Sequence, residues 1–359
     1  MFVPDGVLDH LGDVSDAPDL TGTRYRLVRS VGRGGMGAVF AAEDIELGRE
    51  VAIKVSAPST EAGELAERLR REARVIAKLE HPGIVPVHDA GVLPDGRVFY
   101  VMKLVRGERL DAWARARPDR RARLRLFQRI CEAVAFANAR GVVHRDLKPE
   151  NVMVGEFGEA LVMDWGIAKE LRASVGARMT DTADAAASLA DGWADTVPAP
   201  TAAGQTADGA VMGTLAYMAP EQARGHLAAI DGRTDVYGLG AILYVLVTDA
   251  IPFADTPVAD VFARVRDGNH TPVLTRSRDT PKALAAICEK AMARSSIDRY
   301  ATALDLAEDV GRFLDAEPVR AHPEGVIERV ARFVARNRVV LSLLGAYLML
   351  RIVLFALAR

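Results

Sequence analysis

Cysteine is almost missing from this chain: Cys131 and Cys288 are the only two in 359 residues. That excludes a disulfide scaffold and any cysteine-based zinc site, and it leaves both thiols as small buried hydrophobes of a reducing compartment. An excess of charge of one sign is also missing, because 46 Lys+Arg stand against 48 Asp+Glu for a net charge of −2. Such a balance gives no reason to expect a nucleic-acid partner. The first twenty residues hold five Asp and no Lys or Arg, so they are not a secretory leader. Internal repeats are absent. What remains, 50% hydrophobic and 26% charged, is the composition of a folded chain of two or three core-forming units. Long apolar runs are absent except for one, VVLSLLGAYLMLRIVLFALA at 339–358, broken only by Arg351.

Residues 1–22 read as a flexible acidic tail. From 23 to 105 short β-like runs dominate: YRLVRSV, AVFAAED, EVAIKV, IVPVHDAGVL and RVFYVMKLV. One helix interrupts them, at 61–79, with Leu65, Leu69, Ile76 and Leu79 on one stripe before His81-Pro82-Gly83 stops it. From 106 to 316 the pattern is helical, with Leu124, Phe127, Ile130, Cys131 and Val134 forming one apolar face. Within that part, 179–210 carries eleven Ala, five Asp and no Lys or Arg, which reads as a low-complexity loop. A basic segment at 317–338 leads into the apolar run.

The first chemical motif is Gly32-Arg33-Gly34-Gly35-Met36-Gly37, followed by Ala38-Val39. Alone, GxGxxG is shared with dinucleotide folds, where a helix follows it. Here a strand follows, so the glycines sit in a hairpin whose N–H groups can approach phosphates, or simply in a Gly-rich turn. Next, Val51-Ala52-Ile53-Lys54 puts Lys54 on one face of a strand, where a buried ammonium needs partners. Glu72 is the natural carboxylate, because it falls on the apolar stripe of the 61–79 helix, where an unpaired charge is costly. Glu64 and Glu67 lie off that stripe and read as solvated.

The most specific signal is His144-Arg145-Asp146-Leu147-Lys148-Pro149-Glu150-Asn151, followed by Asp164-Trp165-Gly166 and Ala219-Pro220-Glu221. In this order over about 23–316 the set resembles a eukaryotic-type (Hanks-type) protein kinase. The resemblance implies an α+β, bilobal kinase fold: a small β-rich N-lobe at 23–105, a larger helical C-lobe at 106–316, and ATP between them. It implies that Gly32, Gly34 and Gly37 cover the phosphates, and that Lys54 holds the α- and β-phosphates and pairs with Glu72. It implies Asp146 as the group that orients the acceptor hydroxyl and takes its proton, Lys148 on the γ-phosphate, and Asn151 and Asp164 as magnesium ligands. Val39, Ala52, Met102 and Met153 are expected around the adenine, with Leu104 to Val105 as the hinge; plain core packing is the other reading of the methionines. Asp235 resembles the anchor of the catalytic loop, and Arg299 the partner of Glu221. Lys148 and Gly213-Thr214 match the serine/threonine type, which makes protein Ser and Thr hydroxyls the expected acceptors, in signal transduction.

Three departures stand out. Trp165 replaces the family's Phe, which bears on the packing of the inactive state. Lys103 replaces an acidic residue before the hinge, with little consequence expected for ATP. The 179–210 stretch lengthens the activation loop, where Thr206, ahead of Thr201, is the expected autophosphorylation site read by the cluster around Arg145; an unregulated spacer is the alternative. A pseudokinase would have lost Lys54, Asp146 or Asp164, and a small-molecule kinase would lack Gly213-Thr214 and Ala219-Pro220-Glu221; none is lost here. The motifs GRGGMGAVF, HPGIVPVHDAG and GTLAYMAPEQA are similar to bacterial members, many of them membrane-anchored.

The run 339–358 is long enough to span one hydrocarbon core of about 30 Å as a helix. Its twelve Val, Leu, Ile and Phe favour insertion by roughly 4–7 kcal/mol, against roughly 2.5–3.5 kcal/mol for Arg351. Arg329, Arg332, Arg336 and Arg338 precede it and Arg359 follows, which keeps the kinase part cytoplasmic. The expectation is a single C-terminal span in the cytoplasmic membrane, with no sensor domain beyond it; a helix lying on the membrane or against a partner is the alternative. Self-association for autophosphorylation is a further expected partnership.

Overall fold

The computed structural model describes residues 17–34, 37–57, 62–165, 169–170 and 215–323, and isolated positions from 325 to 354. The segment 1–16, the loop 179–210 with Thr201 and Thr206, Gly166, Gly213-Thr214 and most of 339–358 lie outside the described residues. Among the described residues no helix is long and apolar enough to cross a membrane.

The upper lobe is a five-stranded antiparallel sheet in the order β1-β2-β3-β5-β4. Its strands are β1 (Tyr25–Gly34), β2 (Gly37–Asp44), β3 (Arg49–Ser56), β4 (Val87–Val92) and β5 (Val98–Lys103). Strand alternation explains its two faces. Val51, Ile53 and Val55 of β3 join Phe40, Phe99 and Val101 in one apolar layer. The residues between them, Ala52 and Lys54, point to the other face, where Lys54 stands directly across from Tyr100. Helix α1 (Ala62–Ala77) covers that second face with Leu69, Ala73 and Ile76. Part of the stretch read as tail is packed, because Leu20 is buried in the first layer and Arg97 Nη2 donates to Ala17 O at 3.4 Å. Four residues carry no periodicity from which this could be read.

Below the sheet, β6 (Gly107–Arg109), β8 (Val152–Gly155) and β9 (Ala160–Val162) form a small sheet at the lobe junction. Ile84 bridges to Val162, and Val162 N–H donates to Gly83 O at 2.8 Å, tying the α1–β4 connection to the lower lobe. Helix α2 (Leu110–Ala116) leads into α3 (Arg120–Ala139), which packs on α5 (Gly232–Thr248). Strand β7 (Val142–Val143) pairs with β10 (Lys169–Glu170), and α4 (Pro220–Ala223) precedes α5. Helix α5 is apolar nearly all round, and it is buried all round. Of the helices that follow, α6 (Val258–Asp267) packs on α4, and α7 (Val273–Arg276), α8 (Lys282–Ala291) and α9 (Ala303–Leu314) pack on α5.

Candidate active site

Lys54 Nζ lies 2.8 and 3.1 Å from the two Glu72 oxygens and 2.7 Å from Asp164 Oδ1. The lysine comes from the helix-facing side of β3 and the glutamate from the buried stripe of α1, at 7% and 1% exposure. Two charges this deep are tolerated because they meet, and because Tyr100 OH donates to Glu72 Oε1 at 2.8 Å. Burial opposes the Lys54 ammonium, yet the Glu72 and Asp164 carboxylates outweigh it and hold its pKa above the ordinary lysine value. Asp164 is the mirror case: burial favours its neutral form, and the Lys54 charge overrides this and keeps its pKa low.

Asp164 reaches Lys54 from the lower lobe through the β8–β9 hairpin. Val152 pairs with Val162, and one step further Met163 N–H donates to Asn151 O at 2.9 Å. The strand ends therefore deliver Asn151 and Asp164 to the same edge of the hairpin. Asn151 Nδ2 donates to Asp146 O and Oδ2 at 2.8 and 3.0 Å, and Lys148 Nζ donates to Asp146 Oδ2 at 2.9 Å.

The loop holding Asp146 is bent by a non-glycine residue in the left-handed region, Arg145 at φ 72°. Such a conformation costs about 1–3 kcal/mol and persists only where the surroundings impose it. The imposing group is Asp235, buried in the first turn of α5. Its carboxylate accepts from His144 N–H at 2.8 Å, Arg145 N–H at 2.9 Å and Asn138 Nδ2 at 2.8 Å. His144 in turn donates from Nε2 to Met163 O at 2.9 Å and accepts at Nδ1 from Asp146 N–H at 3.3 Å, which selects its Nε2-protonated form. Its ring packs on Trp165, with centroids 4.6 Å apart. Trp165 is 1% exposed and its Nε1 has no acceptor among the described residues.

The glycine motif forms the β1–β2 hairpin, closed where Gly34 pairs with Gly37. Gly37 has a second duty that the motif does not reveal. A Cβ there would lie 2.0 Å from Val55 O, and its φ is +147°, so only glycine lets β2 lie this close to β3. Gly32 faces open space. Of the residues expected around the adenine, Ala52 stands across from Met102 on β5, and Val39 across from Lys54. Met153 comes from the lower lobe, on β8. Leu104 and Val105 fall in the irregular link between β5 and β6. The Lys103 side chain points outward, 3.9 Å from Glu159 Oε1.

Further down, the Glu221 carboxylate at the start of α4 accepts from Arg299 Nη1 and Nη2 at 2.8 and 2.7 Å and from Thr234 Oγ1 at 2.9 Å. Gln222 Nε2 reaches from α4 to Arg145 O at 2.8 Å, so the helix after the activation loop holds the catalytic loop. Tyr100, Asn138, Thr234 and Gln222 were not picked out by motif reading. Each acts through one hydrogen bond to a residue distant in sequence, which leaves no local signal to read.

Comparison with known proteins agrees with this geometry. The sequence model of the protein kinase domain matches residues 25–307. The serine/threonine-protein kinase PknD of Protochlamydia amoebophila is 34% identical over 316 residues, 81% of this chain and 30% of the relative. PknB of Mycolicibacterium smegmatis, also a serine/threonine-protein kinase, is 37% identical over 303 residues, 82% of this chain and 44% of the relative. The chain thus spans less than half the length of these relatives. With the match covering most of its length, the chain belongs to the protein kinase family.

Proposed function

We propose that the chain is a serine/threonine protein kinase that transfers the γ-phosphoryl group of ATP to Ser and Thr hydroxyls of proteins. The observation that carries this reading is the buried Lys54, bonded at once to Glu72 of α1 and to Asp164 of the lower lobe. The bond joins both lobes across the cleft where a nucleotide would lie.

The donor set suits magnesium. Lys54 takes Asp164 Oδ1 and leaves Oδ2; Asp146 takes the Asn151 N–H group and leaves the amide oxygen. Two hard oxygens beside phosphates are what magnesium accepts. Magnesium held there would neutralise phosphate charge. The protein's own part is positional. Lys54, fixed by Glu72, would bind the α- and β-phosphates under the glycine hairpin at Gly32, Gly34 and Gly37. Val39, Ala52, Met102 and Met153 would enclose the adenine. Asp146 would orient the acceptor hydroxyl and take its proton as the new O–P bond forms, the bond to the β-phosphate oxygen breaks and ADP leaves. Lys148, already beside Asp146, would balance charge on the transferred group. Magnesium-dependent labelling of a Ser/Thr protein substrate, beside Asp146→Asn, tests this; equal labelling by both proteins would overturn it.

Autophosphorylation of Thr206, with Thr201 second, by a second copy of the chain is the mode of activation this reading favours, and Arg145 next to Asp146 supports it. Phosphopeptide mapping of active protein checks it, and no phosphate between 170 and 214 would refute it. The apolar run 339–358 behind four arginines supports a membrane anchor with the kinase part on the cytoplasmic side. Fractionation with and without residues 339–359 tests that; full-length protein found wholly in the soluble fraction would refute it.

A further inference from the structure

The family match ends at residue 307, but the packed structure does not. Helix α9 runs to Leu314 and closes with Ala316 in the left-handed region at φ 56°. Ala316 N–H bonds to Phe313 O and Glu317 N–H to Arg312 O, the paired closure that reverses a chain at a helix end. The reversal lays residues 317–323 back across α9. Val319 is 5% exposed in the lower-lobe core and Ala321 packs against it.

What fastens this strap is Asp309, a carboxylate 0% exposed on the inner face of α9. It accepts from Arg320 N–H at 2.6 Å, Ala321 N–H at 3.0 Å and Tyr300 OH at 2.7 Å. Two of its three donors thus belong to the strap. If the strap leaves, a buried carboxylate loses most of its hydrogen bonds, a strongly unfavourable state. Its remaining donor, Tyr300, directly follows Arg299, whose guanidinium holds Glu221. Glu221 adjoins Gln222, which holds the Arg145 carbonyl beside Asp146. Hydrogen bonds joined by two pairs of adjacent residues, Tyr300 with Arg299 and Glu221 with Gln222, therefore lead from the strap to the loop at Asp146.

We propose that residues 317–323 form a latch on Asp309, and that Asp309 and Tyr300 act as positioning residues that keep Arg299 on Glu221. Displacement of the strap, by force or a partner acting on the chain beyond residue 323, loosens the anchor of the activation segment and lowers turnover. The catalytic part of this inference rests on the kinase reading; the structural coupling does not.

The test uses the full chain carrying Val319→Asp, which expels the strap, with Ala321→Pro, which removes one amide donor, as the milder variant. Hydrogen exchange is read without nucleotide at Arg320 in both variants and at Ala321 in Val319→Asp, and at Arg224 and His226, whose amides bond to Pro220 and Glu221 carbonyls. Exchange at both places is expected to rise by about tenfold or more, while kcat falls roughly three- to tenfold at unchanged KM for ATP. Tyr300→Phe cuts the link, so adding it to either strap variant should change Arg224 and His226 no further. A strap that exchanges freely while Arg224, His226 and kcat stay as in the wild type overturns the proposal, as does strict additivity of the two variants. If exchange responds as expected in a chain with no kinase activity, the latch stands and the kinase reading fails.

Discussion

Arg299 grips Glu221 through two parallel hydrogen bonds of 2.8 and 2.7 Å, in a place where the two residues are 4% and 6% exposed. The guanidinium is fully used, since it also donates to the carbonyls of Ala293, Arg233 and Arg294. The pair pins the end of the activation segment to the lower lobe. Removing one partner leaves the other charged and buried, so Glu221→Ala is expected to destabilise the protein by about 3–5 kcal/mol. Chemical denaturation of the wild type and variant checks this; a loss typical of a surface pair, about 1 kcal/mol or less, would show that water reaches the site.

The same pair sets a pH dependence. Burial alone would raise the Glu221 pKa, but the Arg299 hydrogen bonds and charge dominate and hold it below the ordinary glutamate value. A carboxylate with a depressed folded pKa contributes stability above its unfolded value of about 4.3 and loses it as pH falls through the folded value. Wild-type melting temperature is therefore expected to drop on acidification below about pH 5, with a shallower drop in Glu221→Gln. Parallel profiles for the two proteins would remove Glu221 from the acid response.

Asp146→Asn keeps the size of the side chain and removes the carboxylate proposed to take the acceptor's proton. Turnover is expected to fall roughly 10²–10⁴-fold, with nucleotide affinity little changed, because the phosphates are assigned to Lys54 and the glycine hairpin. Nucleotide binding by calorimetry alongside the kinase assay separates the two effects.

Gly37→Ala tests the double duty of the hairpin. The added Cβ would meet Val55 O at 2.0 Å, so β2 must move off β3. Val39, two residues on and expected over the adenine, would move with it. The expected result is a higher KM for ATP together with a lower melting temperature, whereas Gly32→Ala, which faces open space, leaves the melting temperature unchanged.

Asp235→Ala removes the acceptor for His144, Arg145 and Asn138 and frees Arg145 from its left-handed conformation. Turnover is expected to fall with little effect on the KM for ATP, because Lys54 and Glu72 belong to the other lobe. A fall confined to KM would place the role of Asp235 elsewhere.

Chemistry that is contiguous in the chain was readable before any fold. His144 to Asn151 is a contiguous stretch, and its residues in this order carry the resemblance to protein kinases. Glu72 could be picked over Glu64 and Glu67 because helical period alone put it among Leu69 and Ile76. Its bond to Lys54 and the exposure of Glu67 match that choice. The long helices α3, α5, α8 and α9 were legible from apolar spacing. The short strands β6 to β9 were not, since two to four residues hold no period. Leu20 and the strap were missed for the same reason.

The sequence by itself determined the helix faces and the motifs that carry the kinase resemblance, because these depend on residue type and local spacing. Only the tertiary structure decided what supports them. Tyr100 meets Glu72 across 28 positions, Asn138 meets Asp235 across 97, and Asp309 takes its three donors from two separate places in the chain. A hydrogen bond between distant segments leaves no periodic trace. It forms only when packing brings its ends to about 3 Å, which is why the supports of the loop at Asp146 and the latch at Asp309 became visible in three dimensions alone.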